Sequence, residues 1–318
     1  MSSRDGVPVL DVGALRSGSE SQFAALARQI GLAARTTGFF SIVNHGVPDA
    51  QIAAIFAEAK RFFALPLAEK RSVSVAGSDS YRGYAEIGYE QLDEAHPGDA
   101  KESFDVGPEL APQDPDFYKP FHGGNPWPNL PGFRQALLGY YDTMFQLCID
   151  LHRPLAIDLG AEPDYFTRRI DRGIMALRLL RYPPHPGTFD GTLHGAAPHT
   201  DYGTITLLAQ DGTGGLELRT RDGQWLAVEP TPRAFVCNIG DCLMRWSNDV
   251  YVSTPHRVVN RAQQERYSIA FFGSPNGDAL VEALASCTSA EHPAKYPPIS
   301  YEEYLRYRIS AAYPLKTS

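Results

Sequence analysis

Apolar residues recur at helical spacing from Ser19 to Arg35 and stop before Thr36-Thr37-Gly38, which predicts an amphipathic helix. Short strands are expected on either side, at Val7 to Val12 and Phe39 to Asn44. His45-Gly46 then turns the chain, and a second helix should begin at Pro48-Asp49 and run to about Leu65, with Asp49 as its N-cap. His45, in a turn beside Asn44, reads as a hydrogen-bonded structural residue. From Gly77 to Pro128 the periodicity is lost, and Ser80-Tyr81-Arg82-Gly83-Tyr84 and Lys101 to Val106 suggest short strands between long loops. Leu138, Tyr141, Met144, Phe145, Leu147 and Leu151 predict a long buried helix entered through Asn129 as N-cap and Pro131. Pro154 should kink that helix or begin another, which Gly160 ends.

After Met175 the pattern changes to short alternating or apolar runs. Strands are expected at Met175 to Tyr182, Gly203 to Gln210, Gly215 to Arg219, Trp225 to Val228, Ala234 to Ile239, Cys242 to Trp246, Tyr251 to Asn260 and Arg266 to Gly273. Asp211-Gly212, Asp222-Gly223 and Gly240-Asp241 supply turns between them. About eight strands at this spacing predict an α+β fold with a mainly β core, a double-stranded β-helix or jelly roll. An α-helical N-terminal region and flanking helices complete it. One domain over residues 1–318 is expected: a helical and loop region to about 128, support helices over 129–174, core strands over 175–275, and a C-terminal segment over 276–318 that returns to helix near Tyr301 to Ile309.

Composition supports a folded protein, since 318 residues with 43% hydrophobic content can bury a sizeable core. The 29 basic and 37 acidic residues give a net charge of -8, which argues against nucleic acid as a partner and leaves a small molecule as the expected one. Without an apolar signal core at Met1 to Gly6 or an apolar run able to span a bilayer, the sequence reads as cytoplasmic. Cys148, Cys237, Cys242 and Cys287 lack paired spacing and are expected as buried free thiols.

Candidate chemistry centres on Pro198-His199-Thr200-Asp201-Tyr202-Gly203. On a strand, His199 and Asp201 would share a face. A His-x-Asp pair alone is weak evidence, but His256 in Ser253-Thr254-Pro255-His256-Arg257-Val258 offers a third ligand. Two histidines and one carboxylate with open positions suit non-haem Fe(II) and its oxygen chemistry. Arg266 and Ser268 also share a face, and a turn near Ala262-Gln263 would run their strand against the one carrying His256. His256 would then lie opposite about Ile269, putting Arg266 roughly 10 Å from the metal, the reach of a short dicarboxylate. Arginine can grip such a carboxylate by two parallel hydrogen bonds, with Tyr182 as a further donor.

Ala197 to Leu208, Ser253 to Val258 and Arg266-Tyr267-Ser268 together resemble the signature segments of Fe(II)/2-oxoglutarate-dependent oxygenases of the isopenicillin N synthase-like family. Gly38 to Gly46 and Lys101 to Asp105 resemble that family's amino-terminal region, so the likeness covers most of the chain. The resemblance implies iron binding by His199, Asp201 and His256, and capture of the distal carboxylate of 2-oxoglutarate by Arg266 and Ser268 with help from Tyr182. It implies a dioxygenase that uses Fe(II), 2-oxoglutarate and O2, releases succinate and CO2, and hydroxylates, desaturates or cyclises a small molecule. Leu180 stands where plant members often carry asparagine, which argues against a plant-type flavonoid or hormone substrate. Tyr81, Arg82, Tyr84, Phe104 and Phe271 are candidates for lining the substrate pocket, with Arg82 suited to an anionic substrate, and His194 is expected in a loop. Alternatives are an iron oxidase of the same family that does without 2-oxoglutarate and a non-enzymatic metal-containing jelly-roll binding protein.

Overall fold

Ser19 begins the first long helix by a reciprocal cap: its hydroxyl accepts from the Gln22 backbone while the Gln22 side chain accepts from the Ser19 N–H. The computed structural model describes residues 6–76, 78, 80–91, 98–184 and 194–312. The expected segment Met1 to Asp5, Gly77 at the head of the loop region and residues 313–318 of the C-terminal segment lie outside them.

The amino-terminal part contains β1 (Val9–Asp11), α1 (Ala14–Ser17), α2 (Glu20–Thr36), β2 (Phe39–Val43), α3 (Asp49–Phe63), α4 (Leu67–Arg71), β3 (Gly83–Ala85) and β4 (Glu102–Val106). After α5 (Phe133–Asp158) come β5 (Ala176–Tyr182), β6 (Ala196–His199), β7 (Ile205–Gln210), β8 (Leu216–Arg219), β9 (Trp225–Ala227) and β10 (Phe235–Ile239). Then follow α6 (Asp241–Trp246), β11 (His256–Val258), β12 (Arg266–Phe272), β13 (Leu280–Val281), β14 (Ile299–Ser300) and α7 (Tyr301–Ala312).

Eight strands form one sheet in the order β1-β2-β10-β7-β12-β5-β4-β3, and four form a second in the order β6-β11-β8-β9. Apart from the parallel β1–β2 pair, neighbouring strands in both sheets run antiparallel. This is the jelly-roll α+β architecture that the strand spacing predicts. Strands from the amino-terminal region sit at both edges of the large sheet. Helix α5 packs against α2 and α3 and against β7 and β12, burying Leu147, Leu151 and Leu155. A separate apolar cluster containing Phe39, Leu180, Leu216, Leu218, Val236 and Val258 draws on both sheets.

Several local expectations need correction. Pro48, not Asp49, is the N-cap of α3, and the Asp49 carboxylate instead pairs with Arg233. Helix α5 starts at Phe133 after Gly132 in a left-handed conformation rather than at Asn129, and it passes through Pro154 unbroken. Dense apolar burial around that proline outweighs its lost hydrogen bond, a cost of about 3 kcal/mol in a helix interior. Cys242 to Trp246 is helical: Cys242, Leu243 and Trp246 are buried from one turn of helix, and a short apolar run cannot by itself distinguish helix from strand.

The strand carrying His256 pairs with β6 and β8, while that carrying Arg266 pairs with β5 and β7. The expected register of His256 against Ile269 therefore does not form, because the two strands belong to different sheets. Gly38, at φ +67°, turns the chain from α2 into β2 so closely that an added Cβ would stand 2.2 Å from the Val252 carbonyl oxygen. Gly38→Ala is expected to destabilise the protein by about 2 kcal/mol through backbone strain, measured as a shift in urea unfolding at unchanged slope.

Candidate metal centre and cavity

Strand β6 ends at His199, and Asp201 lies in the turn that follows, so their convergence does not come from strand alternation. That turn is held by backbone hydrogen bonds: Asp241 N–H donates to the Asp201 carbonyl at 2.8 Å, and Cys242 N–H to Gly203 at 2.9 Å. Close approach demands glycine at Gly203, where a Cβ would lie 2.2 Å from the Gly273 carbonyl oxygen. His256 reaches the same point from β11, which pairs His256 directly with His199.

The Nε2 atoms of His199 and His256 lie 3.8 and 3.7 Å from Asp201 Oδ1. One ligand atom from each of the three residues falls within 4.8 Å of the others, a spacing compatible with a shared metal ion. The tautomers follow from hydrogen bonding. His199 Nδ1 lies 2.7 Å from the Ala197 carbonyl and His256 Nδ1 lies 3.1 Å from the Thr254 carbonyl. A carbonyl only accepts, so each Nδ1 carries a proton, and in the neutral ring Nε2 is the nitrogen left with a lone pair. Asp201 Oδ2 accepts from Thr206 Oγ1 and from Asn238 Nδ2, the latter at 2.6 Å, leaving Oδ1 toward the histidines.

Burial, reinforced by the neighbouring His256, pushes the His199 imidazole down to about 3, so it is neutral at ordinary pH. For Asp201, burial opposes ionisation, but His256, His199 and the two hydrogen bonds carry its pKa below the usual carboxylate value. The donor set is two imidazoles and one carboxylate, with the remaining approach open to the cavity. It fits a divalent iron that must also admit small ligands.

Arg266 also lines this cavity and is completely buried. Its guanidinium donates to the Gly214 carbonyl at 2.6 Å, to Ser268 Oγ at 3.2 Å and to Gln210 Oε1 at 3.1 Å. Among the described residues no carboxylate pairs with it. A buried cation facing a cavity without an anion fits a ligand carboxylate. Tyr182 stacks its ring under the Arg266 guanidinium at 4.7 Å, and Ser268 and Leu180 are register partners.

Tyr81 and Arg82 line the cavity. Arg82 spends its donors on the Pro108, Gly123 and Phe121 carbonyls, so it ties loops together and is poorly disposed to meet an anionic substrate. The structure places Tyr84, Phe104 and Phe271 elsewhere. Tyr84 donates to Glu102 at 2.6 Å, Phe104 packs on Phe62 and Phe133, and Phe271 packs on Tyr141, none lining the cavity. The period-two rule that pairs Arg266 with Ser268 leads to Ala270 and Phe272, which do line it. His194 is buried, with its carbonyl accepting from Ala100 N–H.

Sequence reasoning missed Glu90, Lys101, Asp105 and Arg178, four charged residues on the cavity wall. Arg178 bonds Asp105 at 2.6 Å and Glu90 at 3.2 Å, and Lys101 pairs with Glu90 at 2.8 Å. The signal was present: Ala176, Arg178, Leu180 and Tyr182 alternate along β5, and all line the cavity.

A jelly roll that gathers two histidines and one carboxylate beside a buried arginine is the arrangement of a non-haem iron dioxygenase. The profile of the 2OG-Fe(II) oxygenase superfamily matches residues 173–275, and that of the non-haem dioxygenase in morphine synthesis N-terminal region matches residues 7–130. The chain is 35% identical over 314 residues to the 2-oxoglutarate-Fe(II) type oxidoreductase hxnY of Emericella nidulans, covering 96% of this chain and 90% of that one. It is 36% identical over 284 residues to homoarginine-6-hydroxylase 2-ODD-233 of Oryza sativa subsp. japonica, covering 87% and 86%. The crystal structure of a full-length Neurospora crassa protein in complex with alpha-KG and thymine superposes with a TM-score of 0.87 at 33% identity, covering 97% of this chain and 98% of that one. The chain belongs to the 2OG-Fe(II) oxygenase family, and it is a 2-oxoglutarate-dependent dioxygenase that uses Fe(II) and O2.

Asn238→Ala removes a donor to Asp201 while leaving all three candidate ligands, and should weaken metal binding about tenfold. Co(II) titration of the metal-free variant measures this, and unchanged affinity would remove Asn238 from the support of the centre.

Proposed function

We propose that His199, Asp201 and His256 hold the Fe(II), and that Arg266, Ser268 and Tyr182 receive the distal carboxylate of 2-oxoglutarate. The observation that carries this reading is the buried Arg266 guanidinium, which lines the same cavity as the three metal-ligand candidates and has no carboxylate partner among the described residues. Iron bound there supplies the redox chemistry that couples oxidative decarboxylation of 2-oxoglutarate to oxidation of a substrate C–H bond. The protein's own residues do the positioning. Thr206 and Asn238 fix the carboxylate of Asp201, the Ala197 and Thr254 carbonyls fix the imidazoles, and Arg266 with Ser268 sets the direction from which the cosubstrate enters.

The substrate is a small nitrogen-bearing molecule received at the wall formed by Glu90, Lys101, Asp105 and Arg178, with Tyr81 and Phe272 alongside. Charges of both signs on that wall can meet donor and acceptor groups. Thymine in the Neurospora crassa complex and the homoarginine named for the rice relative are both molecules of this kind. Hydroxylation is the favoured outcome. Residues 1–318 work as one oxygenase domain, because amino-terminal strands are built into the large sheet. The acidic balance and four buried free thiols support a cytoplasmic enzyme without a nucleic-acid partner; among the described residues no helix is long and apolar enough to cross a membrane.

Arg266→Ala should raise the 2-oxoglutarate concentration for half-maximal succinate release at least tenfold, since a charge-assisted pair of hydrogen bonds is lost. An unchanged requirement would point to another carboxylate anchor. Succinate release with thymine and with homoarginine, set against release without substrate, tests the substrate reading. Stimulation by either supports it, and stimulation only by compounds lacking nitrogen would contradict it.

A further inference from the structure

Asp241 is a buried carboxylate, 4% exposed, that lies on no wall of the cavity and is not a candidate ligand, yet both ligand-bearing segments meet at it. Thr200, between His199 and Asp201, donates its hydroxyl to Asp241 Oδ2 at 3.2 Å. Ser253, in the segment that enters β11, donates to Asp241 Oδ1 at 2.6 Å. The Asp241 N–H in turn holds the Asp201 carbonyl. From the other side helix α7 supplies Tyr304, whose hydroxyl donates to Asp241 Oδ2 at 2.7 Å, and Arg308, whose guanidinium pairs with the same carboxylate. Arg308 also reaches the Thr200 hydroxyl at 3.3 Å and lies 4.2 Å over the Tyr202 ring.

The same helix faces the cavity. Tyr301, Leu305 and Ile309 recur every four residues along α7 and line the chamber, while Tyr304 and Arg308, one position back on the helical surface, grip Asp241. One rigid element thus touches the substrate chamber with one stripe and the turn carrying the metal-ligand candidates with the next.

We infer that Asp241 and Arg308 are positioning residues, through which helix α7 holds the Asp201 turn and the His256 segment at metal-binding separation. The inference rests on the metal-site reading above and deepens it by assigning the control of ligand geometry to the C-terminal helix. A buried carboxylate with one cationic partner and three hydroxyl donors has a single well-satisfied arrangement, so displacing Arg308 releases both segments together.

The test uses the full chain without metal, titrated with Co(II) in the presence of 2-oxoglutarate and read by visible absorption, with the thermal midpoint recorded alongside. Asp241→Asn and Arg308→Ala are expected to bind Co(II) about tenfold more weakly than the unaltered chain, and Arg308→Lys, which keeps the charge, to recover most of that loss. Thr200→Val and Ser253→Ala leave the Arg308–Asp241 pair in place and should each weaken binding about threefold, through the loss of one hydroxyl from the cluster. They decide the matter if the charge variants do not fold. His256→Ala reports separately on the metal-site reading, which fails if that variant still binds Co(II) like the unaltered chain. A lowered thermal midpoint with unchanged Co(II) affinity in Arg308→Ala, or unchanged affinity in both hydroxyl variants, would assign the cluster to helix docking alone and overturn the inference.

Discussion

The constraint on which the interior depends is the charge of one buried carboxylate. Asp201 is 7% exposed, and burying an anion in a jelly-roll interior is costly unless its oxygens are bonded and a counter-charge stands near. Two oxygens solve this in different ways. Oδ2 is bonded by Thr206 and Asn238, neighbours across β7 and β10, so the large sheet itself supplies the donors. Oδ1 is left facing two imidazoles, each turned by a backbone carbonyl at Nδ1 so that Nε2 points inward. A negative oxygen and two inward-facing imidazole nitrogens form a site that a divalent cation completes.

The cavity beyond has two chemically different ends. At one, Arg266 is a buried positive charge bonded only to neutral acceptors among the described residues, a standing demand for an anion. Toward the other, Arg178 is matched by Asp105 and Glu90, and Lys101 also pairs with Glu90, so that wall presents hydrogen-bonding capacity rather than an unbalanced charge. Burial lifts the Asp105 carboxyl above its usual value against the opposing pull of Arg178. A dianionic cosubstrate is therefore drawn to the arginine end, and the opposite wall is left for a less charged partner. The asymmetry follows from strand alternation on β5 and β12, whose inward residues run from Tyr182 and Arg266 to Arg178 and Phe272.

Much of this was legible in the sequence, because the relevant signals are local. His199, Asp201, Arg266 and Ser268 sit at short spacings, His256 lies in a recognisable segment, and the strands after Met175 are marked by turn residues. What was not legible depends on long-range packing. The pairing of β11 with β6 and β8 is a choice between sheets that no hydrophobic pattern encodes, and it replaced the expected neighbour relation of His256 and Arg266. Pro154 stays inside a helix because of what surrounds it. Tyr84, Phe104 and Phe271 face away from the cavity because aromatic character says nothing of which face of a strand is wet. Asp241 looked like a turn residue beside Gly240, and only the folded chain brings Thr200, Ser253 and Arg308 to it.

Isotope tracing of the cosubstrate tests the central claim most directly: the protein with Fe(II) and 2-oxoglutarate under heavy-oxygen gas, with succinate read by mass spectrometry. A dioxygenase built on His199, Asp201 and His256 predicts succinate carrying one oxygen atom from the gas, with that product abolished in Asp201→Ala. Unlabelled succinate, or labelled succinate persisting undiminished in Asp201→Ala, would contradict it.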